Sequence, residues 1–198
     1  MVRYDEINVS APSVTGAIIP DSAGFRAWQP STWPASPAKL DPDLIKTLRT
    51  IFYDSMLNEI DNVIADAGGN LTHRGHVVAI SLLCALDAIS SYGYGAKSGN
   101  QIPPFVRPHF PVEYRPHAKA LLKIYRHAMV HSWNLFGATI LPGNESVTNK
   151  GGLCFGLLHF RAAISTGVDD FLKKLETDKN LQTMALKRYR KLKTSAKN

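Results

Sequence analysis

The sequence has little cysteine and no long uninterrupted apolar segment, and both absences narrow the classes of protein to which it can belong. Only two of its 198 residues are cysteine, Cys84 and Cys154, too few for the disulfide framework of a small secreted domain. Each lies in an apolar run, so we expect both thiols to be buried. No apolar run approaches the roughly 20 residues that span a bilayer, and the first thirty residues lack a secretory signal pattern. These features predict a soluble, cytoplasmic protein without a membrane partner.

Acidic residues are scarce in the middle of the chain, so the net charge of +7 is unevenly distributed. Residues 67–166 contain nine Lys and Arg but three acids, and all seven histidines lie there too. Residues 187–197 contain six basic residues and no acid. Basic segments attract polyanions. Two interpretations of the tail follow, a solvated helix face with a frayed end or a segment that contacts RNA.

Prolines recur through the first forty residues, and no hydrophobic period is sustained there. We therefore predict an irregular arm over residues 1–40, followed by one mainly α-helical domain over residues 41–198. Two helices open this domain. The first is expected to be capped by Asp41 and to end at Gly68, and the second to be capped by Thr72 and to end at the tyrosine-glycine turn that begins at Tyr92.

The rest of the domain is predicted to contain a loop, a long helix and a C-terminal part. Four prolines predict a loop over most of Ala96–Glu113. Short apolar runs at Ala138–Leu141 and Leu153–His159 predict a small β-hairpin, with helix extensions as the alternative. The last two predicted helices are Arg161–Glu176 and Lys179–Lys193, the second capped by Asp178.

The long helix is predicted over Arg115–Phe136, where a proline suits the first turn and apolar residues recur at three- and four-residue steps. Three of its residues do not fit a helix that only packs: Arg126, His127 and His131. The preceding apolar helix contains one acid, Asp87. Buried there, its carboxylate needs a partner, and an arginine or histidine of the long helix is the expected one.

One hypothesis for these residues is a metal site. His127 and His131 are four residues apart, so they share a helix face and could both bind one ion. The helix offers no glutamate or cysteine as a further ligand, and His117 lies about 15 Å away along the axis. This hypothesis therefore lacks ligands within the helix.

A second hypothesis combines Arg126 with His131. Five residues apart, their side chains diverge by about 140 degrees within one helix, and they converge more naturally if a second copy of the helix packs alongside. A permanent guanidinium beside an imidazole suits cleavage of RNA phosphodiesters. The histidine can take the 2′-hydroxyl proton or protonate the leaving 5′-oxygen, and the arginine can stabilise the phosphorane oxygens without a metal.

The stretch Arg126-His127-Ala128-Met129-Val130-His131, with an arginine, a polar residue and a later histidine on a bundle helix, resembles the signature of the HEPN superfamily (higher eukaryotes and prokaryotes nucleotide-binding domain). The preceding helix, with Leu86-Asp87-Ala88-Ile89-Ser90 before its tyrosine-glycine turn, is also similar to bacterial HEPN-like proteins. The resemblance covers roughly Asp41–Phe136.

The resemblance implies a bundle of four to five helices that dimerises through the Arg115–Phe136 helix. It also implies a metal-independent endoribonuclease, of the kind found in toxin, abortive-infection or CRISPR-linked systems, that needs no cofactor. In that scheme Arg126 and His131 form the catalytic pair, His127 is a polar auxiliary, and an antitoxin or regulatory protein could restrain the enzyme.

Three further expectations concern Asp87, an alternative to catalysis and the basic residues. Asp87 is an auxiliary residue that either tunes the site or only links two helices. A non-catalytic alternative also stays open, in which the domain is a dimeric interaction or regulatory module and Arg126 pairs structurally with Asp87. The basic residues that we expect to contact RNA are Lys123, Lys187, Arg188, Arg190 and Lys191.

Overall fold

Helices dominate the part of the chain that the structure, a computed structural model, describes, namely residues 42–66, 71, 74–95, 100–125, 139–148 and 153–195. The predicted mainly α-helical fold is confirmed. In chain order the elements are α1 (Pro42–Arg49), α2 (Asn58–Asp66), α3 (Gly75–Tyr94), α4 (Ile102–His109), α5 (Ala118–Ile124), β1 (Thr139–Leu141), β2 (Cys154–Gly156), α6 (Leu157–Leu175) and α7 (Lys179–Ser195).

The first predicted helix is continuous but not uniform. A π-helical stretch, Thr50–Leu57, joins α1 to α2, and the Asn58 N–H donates to the carbonyl oxygen of Tyr53, five residues earlier. Phe52 and Leu57 are both fully buried. Because five residues separate them, the wider π turn brings both to the core side, which a regular α-helix would not do. The predicted cap Asp41 and the glycines after Asp66 lie outside the described residues.

Helix α3 is the centre of the core, as its continuous apolar sequence predicts. It contacts α2, α4, α6 and α7, and its residues Val78, Leu82, Leu86 and Ile89 are fully buried. By length and composition α3 could cross a membrane, so the prediction that no apolar run approaches that length is wrong. In this fold 61% of the apolar window is buried inside the protein, which accounts for its composition without a bilayer.

Both ends of α3 differ from the prediction. The helix begins at Gly75 after Arg74, and Thr72 lies outside the described residues. At the other end Gly93 does not form a turn, because the helix continues to Tyr94 and ends at Gly95, whose φ is +94°. Gly93 is needed for another reason, since a Cβ there would lie 2.6 Å from Cε2 of Phe171 on α6.

We expect Gly93→Ala to lower the free energy of unfolding by about 1–3 kcal/mol, because the fully buried Phe171 ring cannot move aside without disturbing the core. Alanine favours a helix over glycine by about 1 kcal/mol, so a destabilised variant would show that the close contact outweighs helix propensity. Urea unfolding followed by circular dichroism measures the difference. The matched control is Gly75→Ala, whose Cβ would meet Leu157 Cδ1 at an ordinary 3.5 Å; equal stability of the two variants would contradict the prediction.

The predicted loop before the long helix is wrong over most of its length, because residues 102–109 form α4 and Val112–His117 form a 3-10 helix. Prolines in the first turn of α4 remove no intrahelical hydrogen bond, since the first N–H groups of a helix have no partner. The buried residues of α4 recur at the spacing of one helix face and supply the packing that stabilises it. They are Ile102, Pro103, Phe105, Val106 and His109.

The predicted long helix is described only in its first half. It begins as the 3-10 helix, which contains Pro116, and continues through α5 to Tyr125. Leu121 and Ile124 are buried and lie on the predicted apolar stripe or beside it. Residues 126–138 lie outside the described part of the chain, so the second half of this helix stays a prediction.

The strands form where short apolar runs were predicted, but they are not the two arms of a hairpin. β1 and β2 pair in parallel, with Ile140 opposite Phe155. Residues 143–148 follow β2 in the opposite direction, since the Gly156 N–H donates to the Glu145 carbonyl at 2.9 Å. The link between β1 and β2, residues 142–153, is long enough to reverse direction twice, which permits parallel pairing.

The last two helices are confirmed by α6 and α7. Asp178 caps α7 as predicted, because its Oδ1 accepts hydrogen bonds from the N–H groups of Asn180 at 2.9 Å and Leu181 at 3.1 Å. The expectation of two buried thiols is wrong: Cys84 is exposed and Cys154 is half-buried. Cys84 lies on the side of α3 that the other described elements leave open to solvent.

Candidate functional site

The residues of the predicted cleavage motif, Arg126, His127 and His131, lie outside the described residues. The structure does describe the chain up to Tyr125, the residue immediately before Arg126. It also describes Asp87, Lys123 and the basic residues of α7. The candidate site is therefore built from the groups that surround the beginning of the motif.

Asp87 is the meeting point of three elements. Its carboxylate accepts a hydrogen bond from Gln101 Nε2 at 2.5 Å and another from the Tyr125 hydroxyl at 3.1 Å. The Gln101 amide also reaches the backbone carbonyl of Asp87 at 3.3 Å. The Asp87 carboxylate thus joins α3 both to Gln101, which precedes α4, and to the end of α5. The expected arginine or histidine partner would come from residues outside the described part, so that expectation stays a prediction.

Two neutral donors, Gln101 and Tyr125, face the Asp87 carboxylate. Burial raises the pKa of the Tyr125 hydroxyl strongly, and the charge of Asp87 and its hydrogen bond raise it further. Although the Cys84 side chain reaches solvent, partial desolvation by its neighbours on α3 and the charge of Asp87 raise the pKa of its thiol. Tyr125 therefore remains a hydrogen-bond donor at all physiological pH values, and Cys84 lacks the thiolate character of a reactive cysteine.

The basic residues that were expected to contact RNA fall into two groups. Lys123, Lys187, Arg190 and Lys191 are exposed. Arg188 is half-buried, and its Nε donates to Ser91 Oγ on α3 at 3.0 Å. Arg188 therefore holds α7 against α3, whereas the residues of the first group are exposed to solvent.

This contact places the basic helix close to Asp87. Ser91 lies one turn after Asp87 on the same side of α3, about 6 Å along the axis. The Arg188 contact on Ser91 and the Tyr125 contact on Asp87 are therefore neighbours. Tyr125, the residue before the motif, and Arg188 of the basic helix therefore contact positions of α3 that are one helical turn apart.

A second polar cluster, which the sequence analysis did not identify, surrounds His109. The Tyr94 hydroxyl lies 2.7 Å from His109 Nε2, and His109 Nδ1 lies 2.6 Å from Asp170 Oδ2. Lys174 Nζ lies 2.9 Å from the same carboxylate oxygen. A neutral His109 with its proton on Nδ1 satisfies all these contacts, since it accepts from Tyr94 and donates to Asp170.

The His109 cluster links helices and does not form an accessible reaction site. The His109 side chain is completely buried, and burial lowers its pKa, an effect that the neighbouring Lys174 cation adds to and Asp170 only partly offsets. Burial also opposes ionisation of Asp170, but hydrogen bonds from Lys174 and His109 lower the pKa of its carboxyl below the usual value. The cluster joins the end of α3 to α4 and α6. One sequence signal was available, a histidine on the apolar face of α4.

The described residues form no metal site by themselves. Among residues 42–66, 71, 74–95, 100–125, 139–148 and 153–195, no three His, Cys, Asp or Glu side chains lie close enough to hold an ion. The proposed pair His127 and His131 lies outside these ranges.

Comparison with known proteins adds no relative from which roles could be transferred. No protein-family model, no curated protein and no solved structure matches this chain. The resemblance to the HEPN superfamily therefore depends on the residues of the motif and of the helix before it.

Proposed function

We propose that this protein is a HEPN-like domain that acts as a metal-independent endoribonuclease, with Arg126 and His131 as the catalytic pair. The sequence motif supports the residue roles, and the helical fold is of the class that the resemblance implies. His127 and Asp87 act as auxiliary residues beside this pair.

One observation supports the proposal: Tyr125, immediately before the motif, and the basic helix α7 contact positions of α3 that are one helical turn apart. Tyr125 is bound to Asp87, and Arg188 is bound to Ser91 one turn further along. A polyanion drawn to the exposed Lys187, Arg190 and Lys191 would therefore approach the region in which Arg126 begins. This arrangement supports the proposed binding of RNA near the motif.

The proposed reaction uses the 2′-hydroxyl of RNA as the nucleophile. One His131 accepts its proton while the hydroxyl oxygen attacks the phosphorus, and the Arg126 guanidinium stabilises the charge that develops on the phosphorane oxygens. The bond to the 5′-oxygen then breaks, and the leaving oxygen receives a proton from the histidine of the second copy. The products are a 2′,3′-cyclic phosphate and a 5′-hydroxyl.

The proposal includes a homodimer, which the expected geometry of the motif helix supports. Arg126 and His131 are separated by about 140 degrees around the axis and about 7.5 Å along it, so one helix directs them apart. Two copies packed through the Arg115–Phe136 helix would bring the arginine of each copy toward the histidine of the other. An antitoxin or regulatory protein that covers this groove could restrain the activity.

The test is cleavage of a fluorescent single-stranded RNA by the purified full-length protein in EDTA. We expect cleavage to continue in EDTA and the 5′ fragments to carry 2′,3′-cyclic phosphate ends, detectable by mass spectrometry. An RNA with 2′-deoxyribose at the cleaved position should resist cleavage, because it lacks the nucleophile. Inhibition by EDTA would exclude the mechanism, and RNA binding without cleavage would support the non-catalytic interaction module instead.

A further inference from the structure

The side-chain nitrogen of Gln101 makes two hydrogen bonds, whereas its side-chain oxygen makes none within the described part of the chain. Gln101 is buried, with 2% of its surface exposed, and both contacts of its Nε2 are to acceptors of Asp87, which fixes the orientation of the amide. Its Oε1 is buried and accepts no hydrogen bond within the described part of the chain. A buried acceptor without a partner is destabilising, because it has lost its hydrogen bonds to water. The Gln101 amide is therefore oriented so that it donates to Asp87 while its own side-chain oxygen accepts no hydrogen bond within the described residues.

The orientation of Gln101 also bears on Tyr125, because both side chains donate to the Asp87 carboxylate. Asp87 can hold the Tyr125 hydroxyl in one place only if the carboxylate itself is held, and the Gln101 amide does this through the short contact to Oδ1. Gln101 is well placed for the task because it immediately precedes α4, whose first turn contains Pro103 and Pro104. Hydrogen bonds therefore connect Gln101, at the start of α4, to Asp87 and Asp87 to Tyr125.

Tyr125 is adjacent to Arg126, and consecutive Cα atoms are about 3.8 Å apart. The place at which Tyr125 is held therefore limits where Arg126 can lie. A displacement of about 1 Å in a catalytic group can reduce a rate by about 100-fold. Holding Tyr125 at the core is thus a direct way to fix the first catalytic side chain.

We propose that Gln101 and Tyr125, acting through Asp87, are positioning residues for the RNA-cleavage site. This inference rests on the proposed function and adds two residues to it. The three groups do not touch RNA and carry no proton in the reaction. Their role is to hold the beginning of the motif in the orientation in which Arg126 meets the phosphate.

The variants Tyr125→Phe and Gln101→Met remove the donor groups and keep side chains of similar size. We expect each to lower kcat for RNA cleavage about 10- to 100-fold with KM unchanged, because RNA binding depends on the exposed basic side chains, which these variants keep. The pH dependence of kcat should keep its shape. The control Tyr53→Phe removes a hydroxyl that donates to the Ser165 carbonyl at the same 3.1 Å, away from the cluster, and should leave kcat unchanged.

The double variant separates positioning from a general loss of stability. If Gln101 acts only through Asp87 and Tyr125, adding Gln101→Met to Tyr125→Phe should lower kcat no further, whereas independent effects would multiply. Measurements are made well below the melting temperature of each variant. Multiplied effects, or wild-type kcat in Tyr125→Phe while His131→Ala is inactive, would overturn the positioning role alone. Activity that persists in His131→Ala, or no cleavage by the wild-type protein, would overturn the proposed function and this inference together.

Discussion

Replacing Arg126 or His131 by alanine is expected to lower the rate of RNA cleavage by about 10²- to 10⁴-fold while the helical fold persists. The two losses have different causes. Without His131 no group takes the 2′-hydroxyl proton or protonates the leaving oxygen. Without Arg126 the charge on the phosphorane oxygens is no longer neutralised, although the proton transfers remain available.

Because the two residues serve one transition state, their effects should not multiply. We expect the double variant to be about as inactive as the more damaging single variant, since groups that act as a unit are strongly non-additive. Single-turnover rates with the fluorescent RNA measure all three variants, and circular dichroism establishes that each is folded. Cleavage that survives both substitutions would contradict the assignment of the catalytic pair.

A surface variant provides the matched control. Lys123 is exposed on α5, one turn before the motif, and belongs to the proposed RNA-contacting set. Lys123→Ala should raise KM and leave kcat nearly unchanged, because a phosphate contact made away from the reacting atoms binds ground state and transition state alike. A fall in kcat as large as that of His131→Ala would show that the assay reports RNA binding and not chemistry.

The sequence was most informative where the decisive interactions are local. The α7 helix was predicted together with its cap because Asp178 and the two N–H groups that it accepts from lie within three residues. The core position of α3 followed from its own composition. Only the role of Gly93 was misread, because the reason for a glycine there is Phe171 on another helix.

Local rules failed where the position of a residue within its element decides the outcome. Prolines predicted a loop before the long helix, yet Pro103 and Pro104 occupy the first turn of α4, where they remove no hydrogen bond. The short strands were located, but their direction depends on how the link between them folds. Neither the position of the prolines within a helix nor the direction of strand pairing can be obtained from hydrophobic periodicity alone.

The polar clusters are the least local features of the molecule. Asp87 was identified because a single acid in an apolar helix is conspicuous, but its donors Gln101 and Tyr125 come from other elements. The His109 cluster joins residues that are 15 and 61 positions apart, and no spacing rule connects them. Charge patterns have a similar limit, since Arg188 and Lys187 are adjacent in the sequence but only Arg188 is directed toward α3.

The His109 cluster leads to the second large expected effect. Replacing His109 by alanine should lower the free energy of unfolding by about 2–4 kcal/mol, because it leaves a cavity among Phe105 and Phe171 and removes the hydrogen-bond partner of Tyr94. Urea unfolding at pH 7.5 measures the loss. The control is His76→Ala, an exposed position on α3, which should change stability by no more than about 0.5 kcal/mol.

The same histidine should make the stability of the wild-type protein dependent on pH. Burial lowers the pKa of His109 in the folded state below the value of about 6.5 expected in the unfolded chain. Between these two pKa values the unfolded chain binds a proton that the folded protein does not, so stability is complete above about pH 6.5 and falls as the pH is lowered, by at most about 1.4 kcal/mol per pH unit. Unfolding series at pH 7.5, 6.5 and 5.5 should therefore show a steeper loss for the wild type than for His109→Ala. Parallel losses in the two proteins would mean that His109 is protonated as readily in the fold as in the unfolded chain, and that Asp170 holds it as a cation.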